Sequence, residues 1–417
     1  MQIYRVICRN SLRYLQNNIR IFEMQIVGCL KYFCLRFLSF MLRKSSGSIL
    51  FLFIAFICSG QGKDTLMAWQ GFGIEVNELG AKVLKHEAKF TLPIPAISSV
   101  TDINFIQHTY GRKTWQQRRN YPTLGVGMTY TVYGVDSVYG RSFSIYPNIE
   151  LRLARARNLE WTLRLGEGIA YITRSYSRVA PVDTINFAIS SHVNGYSILM
   201  SDLRYHINDH WDIQAGLNLT HISNSSLRKP NLGVNLYGGH VGIRYFPVTS
   251  RPKFIPRELK PLTNRWLAQV RTTMSMVSAY APKGPLYPVY IVSAYGSRRW
   301  NGTNKLLAGI DYSYHGDVYA LLRNNSLETG HEILSSSKSG LFVGNEFMLG
   351  HVGITAQLGV YIMQAYIKKD PVYEKVGCNY YILQRERGPI KEAFVSFFLK
   401  MHLNVAEMAE VGMGLGF

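Results

Sequence analysis

A chain of 417 residues, with 46 Lys and Arg against 26 Asp and Glu and a net charge of +20, is too long for an ordinary single globular domain but long enough for one large closed sheet. Only 17% of residues are charged, 27 are tyrosine, and 36 glycines are spread through apolar segments, which excludes a long soluble helical protein. The basic residues are scattered instead of clustered among aromatics, which excludes a nucleic-acid surface and favours attraction to an anionic membrane surface.

In chain order, Arg43-Lys44 is followed by the apolar run Ile49 to Ile57, the length of a signal-peptide core and too short to span a bilayer as a helix. Residues 41–60 are therefore expected to be a signal peptide with cleavage near Gly60, and residues 1–40, interrupted by Glu23, Lys31 and Arg36, an upstream extension outside the fold. Eight Lys/Arg and one Glu leave with that segment, so the net charge falls from +20 to +13. Four of the five cysteines leave too. Cys378 alone stays, which gives neither a disulfide framework nor a cysteine-rich metal site, and no cofactor or metal is expected.

Past Gln61 alternation dominates. Leu124, Val126, Met128, Tyr130 and Val132 form an apolar row against Gly125, Gly127, Thr129 and Thr131. Phe143, Ile145, Ile149, Leu151 and Leu153 then alternate with Ser142, Ser144, Asn148, Glu150 and Arg152. A charged row opposite an apolar row fits a wet lumen and a lipid-facing exterior. The expected fold is all-β, a transmembrane antiparallel outer-membrane β-barrel of about sixteen strands, within a range of twelve to sixteen. Later segments are expected at Trp266–Ala279, Tyr287–Trp300, Lys305–Tyr314, Gly340–Leu349, Val352–Met363, Val376–Gln384, Ala393–Val405 and Glu410–Phe417. The terminal phenylalanine resembles the signal read by barrel-assembly machinery. The barrel is expected over 61–417, as 61–247, a Pro- and Lys-rich linker 248–264 that would divide an eight-strand unit from an added one, and additional strands in 265–417.

Short connections at Ala154–Asn158, Asn208–His210, Trp300–Asn304 and Gly350-His351 alternate with long ones at Thr173–His192, Tyr314–Lys338 and Ala365–Lys375, which puts the long ones outside the cell. The seventh strand carries Trp211, Ile213, Ala215, Leu217 and Leu219 on its oily row, and His221 and Ser223 continue that row at the outer end. On the next strand Asn235 is in phase with Tyr237, Val241, Ile243 and Tyr245. An imidazole two residues from a hydroxyl can take its proton and return it to a leaving alcohol, which suggests ester hydrolysis on an outer-leaflet lipid. The same spacing also fits a polar loop beginning among headgroups. Glu167 falls on the oily row of Trp161, Leu163, Leu165, Ile169 and Tyr171, which makes it a candidate acid for His221 from two strands and roughly 10 Å away, whereas Gly166 and Gly168 beside it suggest a bulge that turns it into the lumen. His402 and Glu410 read as lumen residues.

His221-Ile222-Ser223-Asn224, then Lys229-Pro230-Asn231, Gly233 and Asn235, resemble the active-site segment of the lipid A 3-O-deacylase family of outer-membrane acyloxyacyl hydrolases. Trp115, Tyr121-Pro122, the run GPLYPVY and the terminal HLNVAEMAEVGMGLGF are similar to its longer members. The resemblance implies Ser223 as nucleophile, His221 as general base and Asn235 at the position of the orienting acid, where first-described members carry glutamate. It also implies an oxyanion site from Asn231 with a main-chain amide in the Asn224 to Ser226 turn, and Arg228 and Lys229 are candidates to meet substrate phosphate. The implied partners are lipopolysaccharide lipid A and the outer membrane. Two alternatives stay open: a non-enzymatic channel or structural barrel, and an outer-membrane phospholipase.

Overall fold

The computed structural model describes residues 69–85, 90–177, 186–259, 264–278, 284–300, 302–368, 370–403 and 405–417, and Trp69 to Phe417 form one compact unit. The expected upstream extension and signal peptide lie outside the described residues.

Among the described residues, sixteen antiparallel strands build the fold, and they close twice. The first barrel contains β1 (Phe72–Val83), β2 (Ser98–His108), β3 (Thr123–Val132), β4 (Arg141–Ala156), β5 (Leu159–Ile172), β6 (Val193–His206), β7 (Trp211–Ser223) and β8 (Val234–Tyr245). The second contains β9 (Trp266–Ser278), β10 (Leu286–Arg299), β11 (Asn304–His315), β12 (Ser337–Leu349), β13 (Val352–Met363), β14 (Val372–Gln384), β15 (Glu392–His402) and β16 (Val405–Gly416). Closure comes from β8 pairing back to β1, from Ile74 opposite Tyr245 to Val83 opposite Leu236, and from β16 pairing with β9. The connection after β8 cannot extend the ladder, because Pro247, Pro252 and Pro256 have no amide to give. It crosses the mouth of the first barrel instead, where the Ile255 amide donates to the Tyr110 carbonyl at 2.7 Å and the Arg257 amide to Gln117 at 2.9 Å.

Eight strands make a lumen just wide enough for side chains to fill, and both lumens are filled by ions paired with counter-ions. In the first, Glu150 receives Arg204 at 2.7 Å and also Arg244 and Arg164, while Glu75 is held by Arg164 and Arg244. All five side chains are buried. In the second, Lys375 bridges Asp311 and Glu410 at 2.9 Å each, and Lys305 meets Glu392 at 2.7 Å. Removing one member leaves buried charge without compensation. Glu150→Ala is expected to cost about 3–5 kcal/mol, read as a lowered urea midpoint, and an unchanged midpoint would contradict this packing.

The strand ends depart from the alternation in three places. β12 and β14 start at Ser337 and Val372, ahead of the expected Gly340 and Val376, because their first residues still find partners on β11 and β13. β15 stops at His402 and β16 starts at Val405, since Leu403 takes a positive φ of 55° in a tight turn between them. His402 and Glu410 are buried in the lumen.

Short connections follow β4, β6, β10 and β12, and long ones follow β1, β5 and β11 at the opposite end. The β2–β3 connection carries α1 (Thr114–Arg118), and the β11–β12 connection carries α2 (Gly316–Asn324) and α3 (Glu332–Ser335). Arg119, after α1, reaches the second barrel. Its guanidinium donates to the Met348 carbonyl and to Asn304, each at 2.9 Å, and lies 3.1 Å from the centre of the Phe347 ring.

Candidate active site

On β7 the side chains of Asp212, Gln214, Asn218 and Thr220 are buried in the lumen, whereas Trp211, Ile213, Leu217 and Leu219 are exposed on the outer wall. The period of two carries His221 and Ser223 to the side of that outer row, where His221 is half-buried and Ser223 is buried. Ile222 between them turns inward and is buried. The register sets Asn235 of β8 opposite His221 on one side and Ser197 of β6 opposite it on the other.

The imidazole is held from both edges. Nδ1 lies 2.5 Å from the Asn235 Oδ1 and Nε2 lies 2.9 Å from the Ser223 hydroxyl. An amide oxygen only accepts, so Nδ1 carries the proton and donates to Asn235, which leaves Nε2 to accept from the serine. Asn235 thus fixes the useful tautomer and ring plane, yet it brings no charge to an imidazolium.

The turn after β7 is braced from several directions. Ser225 and Ser226 take positive φ values of 52° and 62°. The Asn224 amide donates to Asn231 Oδ1 at 3.0 Å, so the Asn231 Nδ2 group faces the other way. The Asn224 side chain donates to the hydroxyls of Ser190 and Ser191 at 3.3 and 3.0 Å and to the Arg228 carbonyl at 3.0 Å. Asn224 is therefore occupied with holding the β5–β6 and β7–β8 loops together. The Gly233 amide donates to the Ala188 carbonyl at 2.9 Å, completing that brace. Ser226 donates its hydroxyl to the Ala406 carbonyl at 2.7 Å, so the second barrel also holds this turn. Asn231 and the main-chain amides of Ser225 and Ser226 stand in this same turn.

Arg228 and Lys229 stand in the same loop, Arg228 half-buried and Lys229 exposed. Among the described residues no group of three His, Cys, Asp or Glu side chains is placed to hold a metal ion. A polar cavity lined by His108, Arg152, Glu160 and Ser250 opens at the other end of the first barrel, away from the dyad.

Glu167 departs from its expected position. The β4–β5 ladder has the same register on both sides of it, Ile145 opposite Ile169 and Asn148 opposite Gly166, so there is no bulge and the carboxylate stays on the outer wall. Gly166 makes room for the Tyr146 ring and Gly168 for the β4 backbone at the Ile145 carbonyl, each of which a Cβ would strike. Ser190, Ser191 and Ser197 escape a sequence reading, because serines in a long loop or on a mixed outer row carry no periodic signal.

A family model described as lipid A 3-O-deacylase (PagL) matches residues 102–244, and one described as acyloxyacyl hydrolase, C-terminal domain, matches residues 265–417. Among solved structures, the outer membrane enzyme PagL is 16% identical, with 41% of this chain and 98% of that chain covered at a TM-score of 0.28. Neisserial surface protein A is 13% identical, with 42% and 97% covered at a TM-score of 0.29. A mutant of a Rhodopseudomonas blastica porin is 10% identical, with 83% and 99% covered at a TM-score of 0.19. No curated protein matches.

Proposed function

The chain belongs to the lipid A 3-O-deacylase family of outer-membrane acyloxyacyl hydrolases, and we propose that Ser223, His221 and Asn235 carry out its ester hydrolysis. The protein is an esterase of the bacterial outer membrane that removes an ester-linked acyl chain from lipid A. The observation that most supports the residue assignment is one imidazole bonded on one edge to Asn235 and on the other to Ser223, on the outer wall of the barrel.

His221 takes the Ser223 proton as Oγ attacks the acyl carbonyl. Negative charge on the carbonyl oxygen is received by Asn231 Nδ2 and an amide of the Ser225–Ser226 turn. The imidazolium protonates the departing alcohol oxygen, leaving an acyl-serine. Water, deprotonated by His221, then releases the fatty acid. The outward placement matters, because acyl chains of lipid A lie beside the barrel. Arg228 and Lys229, at the headgroup end of the loop, are suited to its phosphates. A conducting channel is disfavoured by the ion-paired side chains that fill both lumens.

The test is fatty-acid release by purified protein in detergent, with lipid A and a glycerophospholipid offered in parallel. Release from lipid A is expected, and its product mass identifies the ester cut. Faster release from the phospholipid would overturn the substrate class. In the same assay Asn235→Glu is expected to keep or raise turnover, since a carboxylate there keeps the hydrogen bond and adds charge. A hundredfold loss would mean that the amide itself is required.

A further inference from the structure

We propose that the second barrel is a working part of the esterase: the Ala406 carbonyl on β16 holds the turn beside Ser223 through the Ser226 hydroxyl, which makes Ser226 a positioning residue for the oxyanion amides. The inference rests on the assignment of Ser223 and of that turn above. Its starting point is a backbone conformation that the residues of the turn do not favour.

The Leu227 amide donates to the Asn224 carbonyl at 3.0 Å, closing a turn whose central residues, Ser225 and Ser226, have φ of 52° and 62°. Positive φ at both central positions suits Asn and Gly, which reach the left-handed region at low cost. Two serines stand there instead, so the surroundings must hold what the residues resist. The first barrel holds the corner: the Asn224 amide donates to Asn231, and its side chain donates to Ser190 and Ser191. The second barrel holds the tip. Among the described residues, the 2.7 Å bond from Ser226 to Ala406 is the one hydrogen bond that reaches Ser225 or Ser226 from outside their own loop.

Ala406 stands where β16 has left part of its ladder. Among the described residues β16 pairs with β9 from Val411 to Gly416, so nearer its outer end it is paired on the β15 side alone. The register also shifts there, with Met401 opposite Ala406 but Lys400 opposite Met408, a bulge of the kind that ends regular pairing. The next residue, Glu407, is pinned inside the lumen by Lys338 at 2.9 Å and His402 at 3.1 Å. The two barrels are joined again at the opposite end, through Arg119 and through Trp115, whose ring would lie 2.7 Å from a Cβ on Gly350. A carbonyl on a body held at both ends can fix the tip of the turn. Displacing that tip costs rate more than binding, because charge on the acyl oxygen develops after the substrate is seated.

The test uses the full protein in detergent with lipid A and follows kcat and KM. Ser226→Ala is expected to lower kcat by about 10- to 100-fold, less than outright loss of an oxyanion donor, with KM nearly unchanged. Ser226→Gly suits the positive φ but also lacks the hydroxyl, so it is expected to lose as much. Glu407→Gln, which loosens Ala406 from inside the second barrel, is expected to lower kcat several-fold by itself and to cost nothing more in the Ser226→Ala background. A wild-type kcat in Ser226→Ala, recovery in Ser226→Gly, or an equal loss from Glu407→Gln in both backgrounds would overturn the proposal while wild-type activity and its loss in Ser223→Ala stand. Hydrolysis that persists in Ser223→Ala would instead overturn the serine-esterase assignment, and this proposal with it.

Discussion

Replacing Ser223 by alanine is expected to lower turnover of lipid A by at least about 10⁴-fold while leaving a folded barrel. Without Oγ no acyl-serine forms, and the turn and histidine that remain only bind and polarise. Folding is preserved because Ser223 ends β7, keeps its backbone pairing with Gly195 and turns its buried hydroxyl to His221, so no lumen contact is lost. His221→Ala is expected to cost as much, since the hydroxyl then keeps its proton. Residues that act as a unit lose activity once, so the double variant should be no slower than either single one. Fatty-acid release measures the loss, and gel migration of heated against unheated samples checks the barrel. Release by Ser223→Ala within tenfold of wild type would remove the nucleophile from the account.

Gly233→Val is expected to reduce kcat by about 10²–10³-fold, the scale of a misplaced catalytic group. Gly233 has a φ of +77°, and a Cβ there would stand 2.9 Å from His221 Cε1, 3.3 Å from the Ile222 carbonyl and 3.4 Å from Ser223 Cβ. A branched side chain strains the backbone and pushes the ring away from the hydroxyl. Gly330 separates these effects. Its φ of +85° is just as restrictive, but nothing stands within 4 Å of a Cβ. Gly330→Val should therefore leave turnover near the wild-type value, and equal losses at both positions would point to general instability.

The placement of the candidate residues was legible because a strand has a strict period. Once Trp211 to Leu219 define the oily row, parity alone puts His221 and Ser223 outside, and the same rule on β8 brings Asn235 with them. The double closure was not legible in that way. Alternation reads the same whether β8 pairs with β9 or returns to β1, and that choice belongs to residues as distant as Ile74 and Tyr245. The linker prolines and the charged inward row of Glu75, Glu150, Arg164, Arg204 and Arg244 were its only sequence traces. Glu167 was misplaced because two flanking glycines suggest a bulge, when one makes room for the Tyr146 ring and the other for the backbone at Ile145, both on another strand. The bond from Ser226 to Ala406 joins positions in different barrels, and no local pattern announces it.

Mass spectrometry of lipid A from cells expressing the wild type or Ser223→Ala tests the central claim most directly. With the wild type, lipid A should lose the mass of one ester-linked acyl chain. With Ser223→Ala, present in the outer membrane at equal level, it should remain intact. Identical spectra from the two strains, whether both intact or both deacylated, would contradict the account.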